Sequence, residues 1–123
     1  MNKQTFLFDT YAIIEIIKGN DDYARFINAE IIINDFILSE LAYILIKLYG
    51  KKISDKYVDQ YAKYSLRVST EIIKEAMSFK HERIKQKLSM TDCIGYLQAK
   101  KLGIKFLTGD KEFEKINGVE FKK

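Results

Sequence analysis

Cysteine, histidine, glycine and proline are scarce or missing in this sequence, which has one cysteine, one histidine, six glycines and no proline. The single cysteine, Cys93, excludes an internal disulfide bond and a cysteine-rich zinc site. With so few glycines and no proline, no stretch has the composition of a flexible linker. Because no internal repeat is present either, the sequence predicts one domain over residues 1–123.

Long apolar runs are missing as well. Asp9 interrupts the first apolar run, so we predict neither a signal peptide nor a membrane span and expect a cytoplasmic protein. The motifs G-x-x-x-x-G-K-[ST], G-x-G-x-x-G and G-x-S-x-G are absent, which disfavours the nucleotide-binding and hydrolase classes that use them. A formal charge of +4 permits a polyanionic partner but does not require one.

Short apolar runs alternate with amphipathic stretches along the whole chain. The predicted strands are 6–8, 31–33, 65–68, 104–107 and 119–121. The predicted helices cover 11–17, a short stretch through Ile27, 35–50, a stretch capped by Ser54 or Asp55, a stretch from Thr70 into the basic residues 80–87, and one capped by Ser89 or Thr91 and ended by Gly103. This alternation predicts an α/β fold with a mostly parallel central sheet flanked by helices.

Four carboxylates occupy positions from which they could share one site. Asp9 and Asp110 follow predicted strands, where parallel sheets bind their ligands. Glu40 lies on the apolar stripe of the long helix, and Asp92 shares a helix face with Tyr96. Taken singly, Asp9, Asp92 and Asp110 are better explained as turn formers or as acidic residues at a helix start, and Glu40 is explained equally well by its place near a helix start.

Convergence of these carboxylates would have a chemical consequence. Their mutual repulsion disfavours joint ionisation unless a cation offsets it. Oxygen ligands without a histidine or cysteine set suit Mg²⁺ or Mn²⁺ rather than zinc. Such an ion can activate water and stabilise the leaving oxygen in phosphodiester hydrolysis. The residues therefore predict a metal-dependent nuclease site.

A basic stretch lies just upstream of Asp92. Its side chains Arg83, Lys85 and Lys87, together with Lys80, are candidates for RNA contact, although such a run is more often a solvated helix face. The only histidine, His81, lies within this stretch and is interpreted as a solvated residue rather than a general base.

Four short segments resemble the PIN-domain family, particularly the VapC-type toxins of bacterial and archaeal toxin–antitoxin systems. Their order and spacing fit that family, although residues 53–86 contribute no recognisable match. The segments are Phe6-Leu7-Phe8-Asp9-Thr10, Ser39-Glu40-Leu41, Leu88-Ser89-Met90-Thr91-Asp92-Cys93 and Thr108-Gly109-Asp110-Lys111-Glu112-Phe113.

The resemblance implies a three-layer PIN-like fold and assigns roles to residues. It makes the four carboxylates the metal ligands and gives hydroxyls that orient a carboxylate or a water to Thr10 and Thr108. Many relatives carry an aspartate where this chain has Glu112 and an alanine where it has Cys93. The fourth carboxylate is therefore Asp110 or Glu112, and Asp110 is favoured because it directly follows the turn.

The resemblance also implies an activity: a Mg²⁺- or Mn²⁺-dependent endoribonuclease that cuts tRNA or rRNA, forms a homodimer and is inhibited by a small antitoxin. Alternatives within the fold are a housekeeping RNA-processing nuclease, a flap-type DNA nuclease and an inactive PIN-like binding module. A phosphoacceptor receiver fits poorly, because Ser69 follows the middle strand where a receiver needs an aspartate.

Overall fold

A four-stranded sheet forms the centre of the computed structural model, which describes residues 3–123. All its strand pairs are parallel, in the order β2-β1-β3-β4. The predicted parallel sheet is thereby confirmed, and 119–121 is an edge strand as predicted. The strands are β1 (Thr5–Phe8), β2 (Glu30–Ile32), β3 (Lys105–Thr108) and β4 (Val119–Phe121).

Five α-helices surround this sheet and complete a three-layer α/β fold. Helices α1 and α5 pack directly on β1 and β3, α2 contacts both of these helices, and α4 packs against α5. Within residues 3–123, no helix has the length and apolar character that a membrane crossing requires. The helices are α1 (Thr10–Ile17), α2 (Asp35–Tyr49), α3 (Lys51–Ala62), α4 (Thr70–Glu82) and α5 (Met90–Leu102).

Short polar side chains begin four of the five helices. The side chains of Asp9, Asn34, Ser69 and Ser89 each accept a hydrogen bond from a backbone N–H in the first turn of the helix that follows. Gly103 ends α5 with a positive φ of 73°, as predicted. The predicted short helix through Ile27 is instead a 3₁₀ segment, Asp21–Phe26.

The prediction that Ser54 or Asp55 caps the helix after Gly50 is wrong. Helix α3 begins at Lys51, directly after Gly50, whose φ of 93° reverses the chain without a longer loop. Ser54 is buried inside α3, and its hydroxyl donates to the carbonyl of Ala42 at 2.8 Å. Asp55 pairs with Lys51 one turn earlier at 2.6 Å. Neither Ser54 nor Asp55 is therefore a helix cap.

The prediction of a strand at 65–68 is also wrong. Its first residue forms one isolated parallel bridge with Ile33, and the pairing stops there. The buried side-chain amide of Gln98 then donates to the carbonyls of Leu66 and Arg67 at 3.4 and 3.3 Å. A side chain from α5 therefore contacts backbone carbonyls that a further sheet strand would otherwise pair.

The register of β1 and β3 determines which residues leave the sheet next to each other. Phe8 at the end of β1 lies opposite Leu107 on β3, and both are fully buried. The backbone N–H of Asp9 still donates to the carbonyl of Leu107, at 3.0 Å. Because β1 and β3 are parallel neighbours, the residues that follow them leave the sheet side by side at its carboxyl edge.

Candidate active site

Asp9 lies at the junction of β1 and α1 and is only 2% exposed. One carboxylate oxygen accepts the backbone N–H of Ala12 at 2.7 Å, which caps α1. The other accepts the hydroxyl of Thr108 at 2.5 Å. The carboxylate is therefore held in one orientation by two elements that come from opposite ends of the chain.

Thr108 links Asp9 to the loop that follows β3. Its side chain is fully buried, and its hydroxyl accepts the backbone N–H of Asp110 at 3.0 Å while donating to Asp9. Asp110 in turn caps the 3₁₀ segment Lys111–Phe113 by accepting the N–H of Glu112 at 3.0 Å. The hydroxyl thus fixes the geometry of both loops that leave the central strands.

Glu40 and Asp92 reach the same place from two helices. Glu40 lies on α2, between the buried residues Ile37 and Leu41, and is itself half-exposed. Asp92 lies in the first turn of α5, where its N–H donates to the hydroxyl of Ser89 at 3.0 Å. Together with Asp9 and Asp110, they line one cleft of about 600 Å³. The structure therefore brings together the four carboxylates named from the sequence.

The electrostatics of the cleft favour a bound cation. Burial raises the pKa of the Asp9 carboxyl to about 7, although hydrogen bonds, led by that from Thr108, oppose the rise. Burial also raises the pKa of Asp92 to about 8, and repulsion from Asp9, Asp110 and Glu40 adds to it. At neutral pH these carboxyls are incompletely ionised on their own, so positive charge placed among them would stabilise their ionised form.

The oxygen atoms around the cleft fit a hard cation. The hydroxyl of Thr10, which lines the cleft, is buried and has no hydrogen-bond partner in the described chain. Across residues 3–123, no three acidic, histidine or cysteine side chains form a ready-made ligand set. Mg²⁺ needs no such cage, since it usually keeps several waters and takes one or two carboxylates from the protein. The cleft therefore suits an open site of that kind.

The remaining predicted residues lie outside the cleft lining. The side chain of Glu112 is exposed, and only its backbone contacts Asp110. In the basic stretch, Arg83, Lys85 and Lys87 are all exposed, and the guanidinium of Arg83 stacks over the ring of Phe79 at 4.6 Å. The structure therefore does not bring this stretch into the lining of the cleft.

Sequence reasoning missed part of the cleft. Lys18 and Lys123 also line it, together with an apolar group from α1 and α2. The available signal for Lys18 was its place directly after α1, the helix that Asp9 caps. Lys123 gives no such signal, since its position depends on the pairing of β4 with β3. The apolar members of the cleft lining are Tyr11, Ile14, Ile44 and Leu48.

Comparison with known proteins gives one family and several structures of similar fold. The family model of the PIN domain matches residues 6–119, a range that contains all four carboxylates. A search among curated proteins finds no significant match. The similar structures include a toxin–antitoxin complex from Klebsiella pneumoniae, with 20% identity, 94% of this chain and 95% of that chain covered, and a TM-score of 0.73.

Two further structures extend the comparison. VapBC2 from Rickettsia felis, bound to a DNA fragment from its promoter, has 18% identity, coverage of 97% of this chain and 98% of that one, and a TM-score of 0.74. VapC20 from Mycobacterium tuberculosis, described as a sarcin–ricin loop cleaving toxin, has 16% identity, coverage of 96% and 99%, and a TM-score of 0.79. At these identities the likeness shows a shared fold.

Proposed function

Because the chain belongs to the PIN-domain family, we propose that it is a divalent-metal-dependent endoribonuclease that hydrolyses RNA phosphodiester bonds. The observation that carries this proposal is the convergence of Asp9, Glu40, Asp92 and Asp110 on one cleft at the carboxyl edge of a parallel sheet. Two of these carboxyls have pKa values near or above neutrality, the state expected of a cation site that lacks its charge partner.

In the proposed site, Asp9 and Asp92 are the principal metal ligands, and Glu40 and Asp110 hold the ion or its waters. A bound Mg²⁺ or Mn²⁺ supplies two effects, a lowered pKa for the attacking water and charge neutralisation at the phosphate. Thr108 keeps the carboxylate of Asp9 pointing in one direction. We give Thr10 the role of orienting a water, which is supported by its buried hydroxyl that has no hydrogen-bond partner among the described residues.

We further propose that the protein is the toxin of a type II toxin–antitoxin pair that acts on tRNA or rRNA in the cytoplasm. Support comes from the VapBC and VapC structures that share its fold. Exposed apolar side chains are concentrated on α2 and the start of α3, which fits a chain that associates with a homodimer partner and a small antitoxin. Outside the cleft, these side chains are Phe36, Tyr43, Ile46, Tyr49 and Ile53.

Cleavage of total RNA by the purified protein tests the nuclease proposal. Reactions contain Mg²⁺, Mn²⁺ or EDTA, and the variants are Asp9→Asn and Asp92→Asn. The matched control is Asp59→Asn, which changes an exposed carboxylate on α3. We expect cleavage only with a metal, loss of cleavage in both site variants and retention in the control. Cleavage that persists in EDTA, or in both site variants, would overturn the proposal.

Three further measurements separate the alternative functions. If the protein is a toxin, its induced expression arrests bacterial growth and the Asp9→Asn variant does not. RNA cleavage without growth arrest would indicate a housekeeping RNA-processing nuclease. Faster cleavage of branched DNA than of RNA would indicate a flap-type nuclease. If Mg²⁺ neither supports cleavage nor raises the Tm, the protein is an inactive PIN-like binding module, since ligands of the folded state raise its stability.

A further inference from the structure

The cleft has a second wall that the proposed chemistry does not use. Opposite in character to the carboxylates, this wall consists of the half-buried ring of Tyr11 on α1 and the side chains of Ile44 and Leu48 on α2. Leu48 is 47% exposed, so part of the wall is open to solvent. The cleft volume of about 600 Å³ falls within the range of roughly 300–1,000 Å³ that is usual for small-ligand pockets.

The ring of Tyr11 is held in place from several sides. A β-carbon added to Gly109 would collide with this ring and lie 3.0 Å from the backbone oxygen of Lys122. Tyr23 packs edge-on against the ring with centroids 6.1 Å apart. The ammonium of Lys123 lies 5.9 Å from the ring centroid. Tyr11 is therefore a fixed aromatic surface rather than a mobile side chain.

Two cations line the same cleft. Both Lys18 and Lys123 line the cleft and are exposed. Within residues 3–123, neither takes part in an ion pair. A carboxylate-rich cleft would repel an anionic strand without compensation, so unpaired ammonium groups at its rim have a direct electrostatic use.

We propose that this second wall is a nucleotide subsite, in which Tyr11 stacks on an unpaired base next to the cut phosphodiester and Lys18 and Lys123 each contact a neighbouring phosphate. The inference rests on the proposed ribonuclease function and adds which part of the RNA is recognised. A single strand carries flat bases and phosphates, and the cleft lining offers an aromatic ring and two cations that suit them. The subsite therefore selects unpaired RNA, because a base within a duplex has no free face to offer.

Binding of a fluorescein-labelled single-stranded RNA oligonucleotide, followed by anisotropy in EDTA, tests this subsite. Every protein carries Asp92→Asn so that the RNA stays intact. We expect Tyr11→Leu to weaken binding roughly 5- to 100-fold, the range for loss of one base–aromatic stack, and Tyr11→Phe to change it by less than about twofold. Leu48→Ser, at an exposed position outside the core, provides a second variant and should weaken binding several-fold.

The salt dependence of the RNA affinity tests the contact between Lys18 and a phosphate. Lys18→Gln should reduce the slope of log affinity against log salt concentration by about 0.7, the value for one phosphate contact on a single strand. Lys74→Gln removes the same charge from an exposed position on α4 and should leave the slope unchanged. A duplex of the same sequence should bind more weakly than the single strand.

The outcomes separate the subsite from the nuclease function. If otherwise wild-type protein cleaves RNA, but Tyr11→Leu and Leu48→Ser bind as tightly as the Lys74 control, the subsite is wrong and the nuclease stands. Equal binding of duplex and single strand also overturns the subsite. If the protein with Asp92 intact cleaves no RNA with Mg²⁺ or Mn²⁺, the proposed ribonuclease function is wrong, whatever the binding measurements give. A circular-dichroism melt of each variant confirms that it is folded.

Discussion

Asp9 serves the fold and the candidate site with the same two oxygen atoms. It caps α1 through one oxygen and accepts the hydroxyl of Thr108 through the other, yet its burial raises the pKa of the carboxyl to about 7. An ordinary helix cap is exposed and keeps its charge at little cost. A buried cap is expensive to ionise, so its position is best explained by the cation that the site is proposed to hold.

Thr108 provides the sharpest test at the residue scale. In Thr108→Val, the carboxylate of Asp9 loses its hydroxyl donor, and the backbone N–H of Asp110 loses its acceptor. We expect about 1–3 kcal/mol less stability, because buried polar groups are left unpaired. RNA cleavage should also fall at least tenfold, on the order expected when a metal ligand loses the hydrogen bond that orients it.

Rescue distinguishes this positioning role from simple packing. Thr108→Ser keeps the hydroxyl and loses only a methyl group, so it should recover most of the cleavage activity even though the core around it is less well filled. Chemical denaturation and RNA cleavage are measured on the same preparations. A valine variant as active as the wild type would contradict the role given to the hydroxyl.

Sequence reasoning found the carboxylates of the site but not its second wall. Asp9 and Asp110 follow strands, and Glu40 interrupts an apolar stripe, so each leaves a local mark. Tyr11 leaves none and Lys18 leaves only its place directly after α1, because an aromatic residue and a lysine are ordinary at a short helix. Their place in the cleft is decided by contacts such as that of Tyr11 with Gly109, which no local pattern encodes.

At the scale of elements, Gly95 allows a helix to approach the sheet closely. This residue lies within α5, and a β-carbon there would lie 2.8 Å from Phe106 and 3.4 Å from Leu7. Glycine inside a helix usually costs about 0.5–1 kcal/mol relative to alanine. Here the missing side chain allows α5 to pack directly on β1 and β3.

Gly95→Ala should therefore destabilise the protein despite its better helix propensity. We expect a loss of about 1–3 kcal/mol, the usual cost of overpacking a core, measured by urea denaturation. Phe106→Leu makes room at the same contact, so the double variant should lose less than the sum of the single changes. Strictly additive losses would show that the contact between Gly95 and Phe106 is not the cause.

Gln98 joins α5 to two other segments through its side-chain amide. It accepts from the amide of Asn34 at 2.9 Å and donates to the carbonyls of Leu66 and Arg67. Gln98→Met keeps the size and removes these bonds, so we expect a loss of about 2 kcal/mol, within the usual range for unsatisfied buried groups. Gln60→Met, at an exposed position on α3, is the control and should be near neutral.

The same amide explains why the strand predicted at 65–68 is wrong although the other strands were predicted correctly. The four sheet strands and the long helices carry apolar periodicity, which is local and readable. Residues 65–68 carry an apolar pattern too, but their carbonyls are satisfied by a side chain more than thirty residues away in the sequence. The start of α3 was misplaced because Gly50, rather than a polar cap, sets it.

At the scale of the whole molecule, the buried carboxyls make stability depend on pH. Folding raises the pKa of Asp9 from 3.8 to about 7 and that of Asp92 from 3.8 to about 8. Between these values the folded state binds more protons than the unfolded state, so the free energy of unfolding falls as the pH rises. In EDTA we expect a higher Tm at about pH 5 than at about pH 8.

Added Mg²⁺ should narrow that difference, because it stabilises the ionised carboxylates at the higher pH. Asp92→Asn removes one of the titrating groups and should flatten the dependence in EDTA. Asp59→Asn, at its exposed position, should keep the wild-type slope. A Tm in EDTA that rises steadily from pH 5 to pH 8 would contradict the protonation assigned to the folded state.

The hydrogen bond between Thr108 and Asp9 joins residues 99 positions apart. During synthesis, Asp9 is translated early relative to Thr108, which follows it 99 residues later. A nascent chain that stops before Thr108 therefore lacks the loop after β3, which carries Asp110 into the cleft. If the protein degrades RNA as proposed, the topology delays a complete site until Thr108 and Asp110 have been translated.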